Sequence, residues 1–198
     1  MKRMLGVLIG AAVGLAAFAS WADPQAERAG TLQTTTQTRT DLLNYLHQQN
    51  QLMIELGGLA AQSTSQKVKE LAKREADEHA KLDVELLGYA HRNKYQVKEV
   101  PFGERAQKPA KGKLDLLGEK EAKALVATLD GFKALKGAEL DRKFLGYVVS
   151  EHDKAIERLM RARPPSGDDE YRALNEKNLS ALRKHRAAAA LLEREVSS

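Results

Sequence analysis

Residues 140–159 read LDRKFLGYVVSEHDKAIERL. Leu140, Phe144, Leu145, Val148, Ala155, Ile156 and Leu159 recur there three or four positions apart, the spacing of one face of an α-helix. His152 stands on the same apolar stripe. The pattern predicts a long helix from about Gly137 to Arg163, stopped by Pro164-Pro165, with Arg158, Arg161 and Arg163 at the negative end of its dipole.

The same period continues on both sides. Leu174, Asn178, Leu182, His185, Ala189 and Leu192 predict a fourth long helix from near Asp168. Upstream, Val68, Leu71, Ala72, His79, Leu82, Leu86 and Tyr89 mark a second helix running to about Asn93. Its start is placed at Ser63, which has Gln66 three positions on in a capping-box pattern. Leu42, Leu46, Leu52, Met53, Leu56, Leu59 and Ala60 mark a first helix from near Asp41. Residues 95–117 contain Pro101 and Pro109 and read as a long crossover, followed by a short helix at about 119–130. Two helical hairpins joined by one long connection are the ferritin-like arrangement. The expected fold is therefore all-α, a ferritin-like four-helix bundle over residues 41–195 with a short extra helix in the crossover.

The N-terminus reads differently. Lys2 and Arg3 precede an uncharged apolar run, Met4 to Ala19, of 16 residues. Ser20-Trp21-Ala22 has small residues at its first and third positions, and Asp23-Pro24 opens a polar stretch. This is the pattern of a cleavable secretory leader over residues 1–22. A membrane-spanning helix needs roughly 20 apolar residues, and this run is shorter and interrupted by glycine. Residues 23–40 are polar and threonine-rich and are expected to be flexible. The expected location is the periplasm or outer envelope.

Composition removes several classes of function. The chain has no cysteine, which excludes disulfides, thiol catalysis and thiolate metal sites. Its net charge of +5 is mild, two of those charges leave with the leader, and no nucleic-acid motif accompanies the rest. Nucleic acid is not an expected partner. Basic residues at 98, 105, 108, 111 and 113, with Arg183, Lys184 and Arg186, raise peripheral contact with anionic envelope lipids as an alternative to an ordinary solvated face.

The histidines carry the remaining chemistry. Of five, His47 and His91 lie in polar surroundings and read as solvated. His79, His152 and His185 each stand on the apolar stripe of a different helix. Glu75 precedes His79 by four residues and shares its face, whereas Glu78 points about 100° away. Asp141 shares the face of His152 but lies roughly 16 Å along the axis, so the two cannot hold one ion together. His185 falls opposite Gly146, between them, where it could take support from Asp141 or share a ligand with His152. Neutral imidazoles from three helices make a transition-metal site of iron, zinc or copper, with His79, His152, His185, Glu75 and Asp141 as candidate ligands or supports. The alternative is a structural polar network of histidines and carboxylates. The Glu-x-x-His spacing of di-iron bundles is absent: Ala76, Val149 and Leu182 stand three before the histidines.

These residues resemble a bacterial family of exported, ferritin-like proteins of unknown function, commonly labelled predicted outer-membrane or putative membrane proteins. The resemblance rests on Leu56-Gly57-Gly58-Leu59-Ala60, on Val68-Lys69-Glu70-Leu71-Ala72 followed by Glu78-His79, and on Gly137, Leu140-Asp141, Phe144-Leu145, Val148-Val149 and His152. Leu182 and His185 complete it, over roughly residues 41–193. Two departures stand out: Glu78-His79 where the family usually has Asp-His, and Met53 where it commonly carries a Glu. The resemblance implies fold and export. No catalytic residue is assigned, and the expected role is non-enzymatic (structural, stress or interaction), with a metal-binding or redox bundle as the alternative.

Overall fold

The computed structural model describes residues 24–100, 118–162 and 167–197. The predicted leader, most of the predicted crossover and Pro164-Pro165 lie outside the described residues. Five helices follow in order: α1 Pro24–Ala60, α2 Gln66–Arg92, α3 Glu119–Lys133, α4 Gly137–Arg161 and α5 Asp169–Ser197. No strand occurs among the described residues. The chain divides into two compact units, Met1–Thr34 and Thr35–Ser198. Of the first, the described part is the opening of α1; the packing below is that of the second.

The apolar stripes read from the sequence are the buried faces. They gather into two clusters. One contains Leu52, Met53 and Leu56 of α1, Val68, Leu71 and Ala72 of α2, Phe144, Leu145 and Val148 of α4 and Ala189 of α5. The other contains Leu42, Leu43 and Leu46 of α1, Leu86, Tyr89 and Ala90 of α2, Ala155 and Leu159 of α4 and Tyr171, Leu174 and Leu182 of α5. Helix α3 joins the first cluster through Leu129 and Phe132, whose ring meets Tyr147 edge-on at 5.4 Å. Between the two clusters each long helix of the bundle carries a polar residue at the same level: Asn50, Glu75 with His79, His152, and His185. That level is the candidate site.

The end carrying the second cluster is tied by Arg39. Its Nη1 donates to the hydroxyls of Tyr89 (3.2 Å) and Tyr95 (2.9 Å) and to Asp168 Oδ2 (2.7 Å). The guanidinium also lies 4.3 Å from the centre of the Tyr171 ring. Asp168 is the cap of α5, its Oδ1 accepting the backbone N–H of Tyr171 at 2.9 Å. One arginine thus joins α1 and the end of α2 to the start of α5.

Three local expectations differ from the structure. Helix α1 reaches back to Pro24, not Asp41. Proline is favourable at a first helical position because its fixed φ suits the helix and its missing N–H costs nothing there, and the threonine run after it does not interrupt the helix. Helix α2 starts at Gln66 with Ser65 at the N-cap, so Ser63 is no capping box. The Ser63 hydroxyl is used one step earlier, accepting Ser65 N–H at 2.9 Å within the turn. His47 is buried, not solvated; its partner is described below.

Glycine matters at one crossing. A Cβ on Gly57 would lie 2.7 Å from Ala72 O and 2.8 Å from Ala76 Cβ, so α1 and α2 approach there as only glycine allows. Its neighbour Gly58 faces open space. Urea unfolding should separate the pair. Gly57→Ala is expected to destabilise by about 1–3 kcal/mol through overpacking, and Gly58→Ala to stabilise by roughly 0.5–1 kcal/mol through helix propensity.

Candidate metal centre

Helix α2 supplies two of the groups. Glu75 and His79 are four residues apart, just over one helical turn, so both project from one face. Helix α4 supplies His152 and α5 supplies His185. All four side chains are buried, with Glu75 at 0 %, His79 and His152 at 1 % and His185 at 2 % exposure. All four are shielded from bulk solvent.

The distances define a small polyhedron. Glu75 Oε2 lies 3.5 Å from His79 Nε2, 3.3 Å from His152 Nε2 and 3.3 Å from His185 Nδ1. His79 Nε2 and His152 Nε2 are 3.3 Å apart. One ligand atom from each of the four residues lies within 4.8 Å of all the others, close enough to hold a metal ion. A tetrahedral ion with metal–nitrogen distances of about 2.0–2.1 Å places its ligand atoms roughly 3.3–3.4 Å apart. Four of the six separations lie close to that edge length, and all six are within 4.8 Å.

The protons on two rings follow from their outer partners. Asp83 can only accept, so the end of Asn50 that faces Asp83 Oδ1 at 3.3 Å is its NH2 group. Asn50 Oδ1 then faces His79 Nδ1 at 2.9 Å, which places the His79 proton on Nδ1 and leaves Nε2 with a lone pair toward the centre. On α5, His185 Nε2 donates to Glu78 Oε2 at 2.7 Å, which leaves the Nδ1 lone pair facing Glu75. His185 Nδ1 and both oxygens of Glu75 have no hydrogen-bond partner. Their separations lie in ion-pair range, but the angles do not make hydrogen bonds. Lone pairs that face one another in a dry core repel unless a cation or a proton stands between them.

Burial alone would raise the Glu75 carboxyl, but His152 and His79 outweigh it and hold the group at about 2. Burial pushes His79 down to about 4 against the pull of Glu75. Glu75 is thus an ionised carboxylate beside the neutral imidazole of His79.

Around it lies a support that sequence reasoning missed. Asp83, on α2, accepts from His47 Nδ1 at 2.7 Å, from Asn50 and from Gln51 Nε2 at 2.6 Å. His47, Asn50 and Asp83 are all buried. Helix α1 therefore contributes no ligand, but it holds His79 through Asn50. His47 sits beside Gln48, Gln49 and Asn50, and that polar company gave no sign of burial. Glu78 looked misdirected because its direction was judged against His79 on its own helix; its partner comes from α5.

The other predicted positions divide. Glu75, His79, His152 and His185 come together. Asp141 is buried with Oδ1 unpartnered and stands apart from the group. Of the two places open to His185, it takes the one beside His152, with ring centres 5.5 Å apart. His91 is exposed. Met53 is buried and lines a cavity of about 10 Å³ with His79 and His152. The basic residues of 101–117 lie outside the described residues, and Arg186 is engaged by Asp153 through two bonds.

The lowered values set a pH dependence for the metal-free protein. Both groups bind fewer protons folded than unfolded, so stability rises with pH across the interval between folded and unfolded values. Acidification should remove stability from about pH 6.5 to 4 through His79 and below about 4.5 through Glu75. Urea midpoints in the presence of a chelator check this, with His79→Gln flattening the upper part of the decline. A wild-type midpoint constant from pH 7 to 4 would contradict the assignment.

No curated protein and no solved structure matches the chain. One family model does, a domain of unknown function (DUF4142), over residues 23–192. That stretch contains all four converging residues, their supports, α1 to α4 and α5 up to residue 192. The chain belongs to the DUF4142 family.

Proposed function

We propose that this chain is an exported, ferritin-like helical bundle whose task is to hold one transition-metal ion on Glu75, His79, His152 and His185. The observation that carries the reading is the convergence of one buried atom from each of Glu75, His79, His152 and His185 within 4.8 Å of one another, with Glu75 Oε2 and His185 Nδ1 lacking a hydrogen-bond partner. Three imidazoles and one carboxylate suit zinc, copper or iron better than the hard ions magnesium and calcium.

The reading is of a binding protein, not a catalyst. Four protein donors complete a tetrahedral shell, and a complete shell is the mark of a structural or storage site, whereas catalytic zinc keeps a position open. The cavity beside His79 and His152, about 10 Å³, has room for one water and no larger substrate. Export rests on residues 1–22, which precede the family match. The ferritin-like reading is supported by the helix order: α1 and α2, a connection carrying α3, then α4 and α5, with the site between facing helices. No helix among the described residues is long and apolar enough to cross a membrane.

Elemental analysis of metal-loaded protein is expected to give about one ion per chain, and the triple variant His79→Ala, His152→Ala, His185→Ala none, with a complete tetrahedral shell as the model. Co2+ in the wild type should show the intense visible absorption of a tetrahedral ion. Equal metal content in wild type and triple variant would overturn the reading in favour of a proton-bridged polar network. Export has its own readout: the N-terminus of the mature chain from an envelope fraction should be Asp23.

A further inference from the structure

The four ligands are sealed, so an ion must pass a side chain that reaches both solvent and the centre. Among the described residues two cavities approach the site. The one that touches His79 and His152 is about 10 Å³, and Leu46, Met53, Ala155 and Leu182 share its wall with Gln49, Asn50, Glu151 and Asn178. A hydrated divalent cation does not fit in that volume. The other lies between α2 and α5, measures about 470 Å³, and is lined by Glu78, Lys81, Glu85, Lys177 and Lys184 among others. Glu78 is 40 % exposed at the side chain, while the His185 ring it touches is at 2 %. Nε2 of that ring faces Glu78, and Nδ1 faces Glu75.

We propose that the α2–α5 cleft is the door of the metal centre and that Glu78 is its outer carboxylate, taking a divalent transition-metal ion from solvent and passing it inward past His185. This rests on the metal-binding reading above. The Glu78–His185 bond closes the door, and an arriving ion replaces that bond on the Glu78 oxygen while the ring swings aside. The ion then meets Glu75, the innermost carboxylate, and the ring closes behind it with Nδ1 as ligand. The rest of the cleft does not gather cations: three lysines face two carboxylates, and Glu85 is already paired with Lys177. Passage therefore depends on the one carboxylate in contact with a ligand.

Glu78→Gln separates a door from a support. The amide keeps an acceptor for His185 Nε2–H, so the ring tautomer is retained, but the charge that captures the ion is gone. Co2+ uptake followed by its visible absorption in stopped flow gives the rate, and competition with a chelator gives the affinity. The rate is expected to fall on the order of tenfold in Glu78→Gln with affinity within about threefold of wild type, because affinity is a ratio of rates and a door retards both directions. Glu78→Ala also removes the acceptor, and should be slow and weaker by about 10–100-fold, the usual cost of losing an outer partner of a ligand. Glu85→Gln, in the same cleft but without contact to His185, should load at the wild-type rate.

Uptake in Glu78→Gln at the wild-type rate would overturn the proposal, as would equal slowing in Glu85→Gln. So would a loss of affinity in Glu78→Gln as large as its loss of rate, which would make Glu78 a positioning residue and no door. A wild type that takes up no Co2+ would remove the centre itself, an outcome distinct from all of these.

Discussion

A carboxylate buried without a hydrogen bond is among the costliest arrangements a protein can contain, and Glu75 is one, in the middle of the bundle. Everything at its level answers to it. Three imidazoles stand within 3.5 Å of one of its oxygens, from its own helix, from α4 and from α5. An attraction between neutral imidazole and a carboxylate needs a proton in the right place, and the outer partners of His79 and His185 hold those protons on the far side of each ring. From those two rings, what faces Glu75 is electron density. A cation, or a proton carried by His152, standing between them would turn repulsion into attraction.

The same layer fixes the register of the helices. Apolar stripes alone tolerate sliding, since one leucine replaces another at little cost. A polar layer between two apolar clusters does not slide: a shift of one helix by a turn would set Glu75, His79, His152 or His185 against leucine and valine. The outer ring extends this to α1, which has no ligand of its own. Asn50 reaches His79, and His47, Asn50 and Gln51 together satisfy Asp83, so α1 is held to α2 by hydrogen bonds that need no ion.

How much of this could be read in advance depends on the kind of interaction. The four stripes are repeats along one helix each, and periodicity recovers them: Phe144, Val148, His152 and Ala155 are buried together because they lie on one face. The pairing of Glu75 with His79 is likewise local. Convergence across helices is not. Glu78 and His185 are far apart in the chain, and the contact between them exists only because α2 and α5 pack side by side. Asp141 shows the reverse: it shares the histidine face of α4, but it stands too far along the axis to join the ion. Polar residues such as His47, Asn50 and Asp83 carry no hydrophobic signal, so their burial follows from the partners they find and not from their own pattern.

The two shells therefore divide the work of folding and of binding. Helix α1, Asp83 and the apolar clusters assemble without the centre, and Arg39 closes one end of the bundle independently of it. An ion bound on the four residues would link α2, α4 and α5, elements already placed by packing. Such a site is preorganised, since the lone pairs are aimed before the ion arrives and little order remains to be imposed on binding. Preorganisation also explains why the ligands are sealed. A shell that is rigid and dry holds an ion tightly because water cannot compete for it, and the same dryness makes passage of the ion the slow step. On the proposed reading, the half-exposed carboxylate of Glu78 would govern how fast an ion is exchanged, and Glu75 how firmly it is kept.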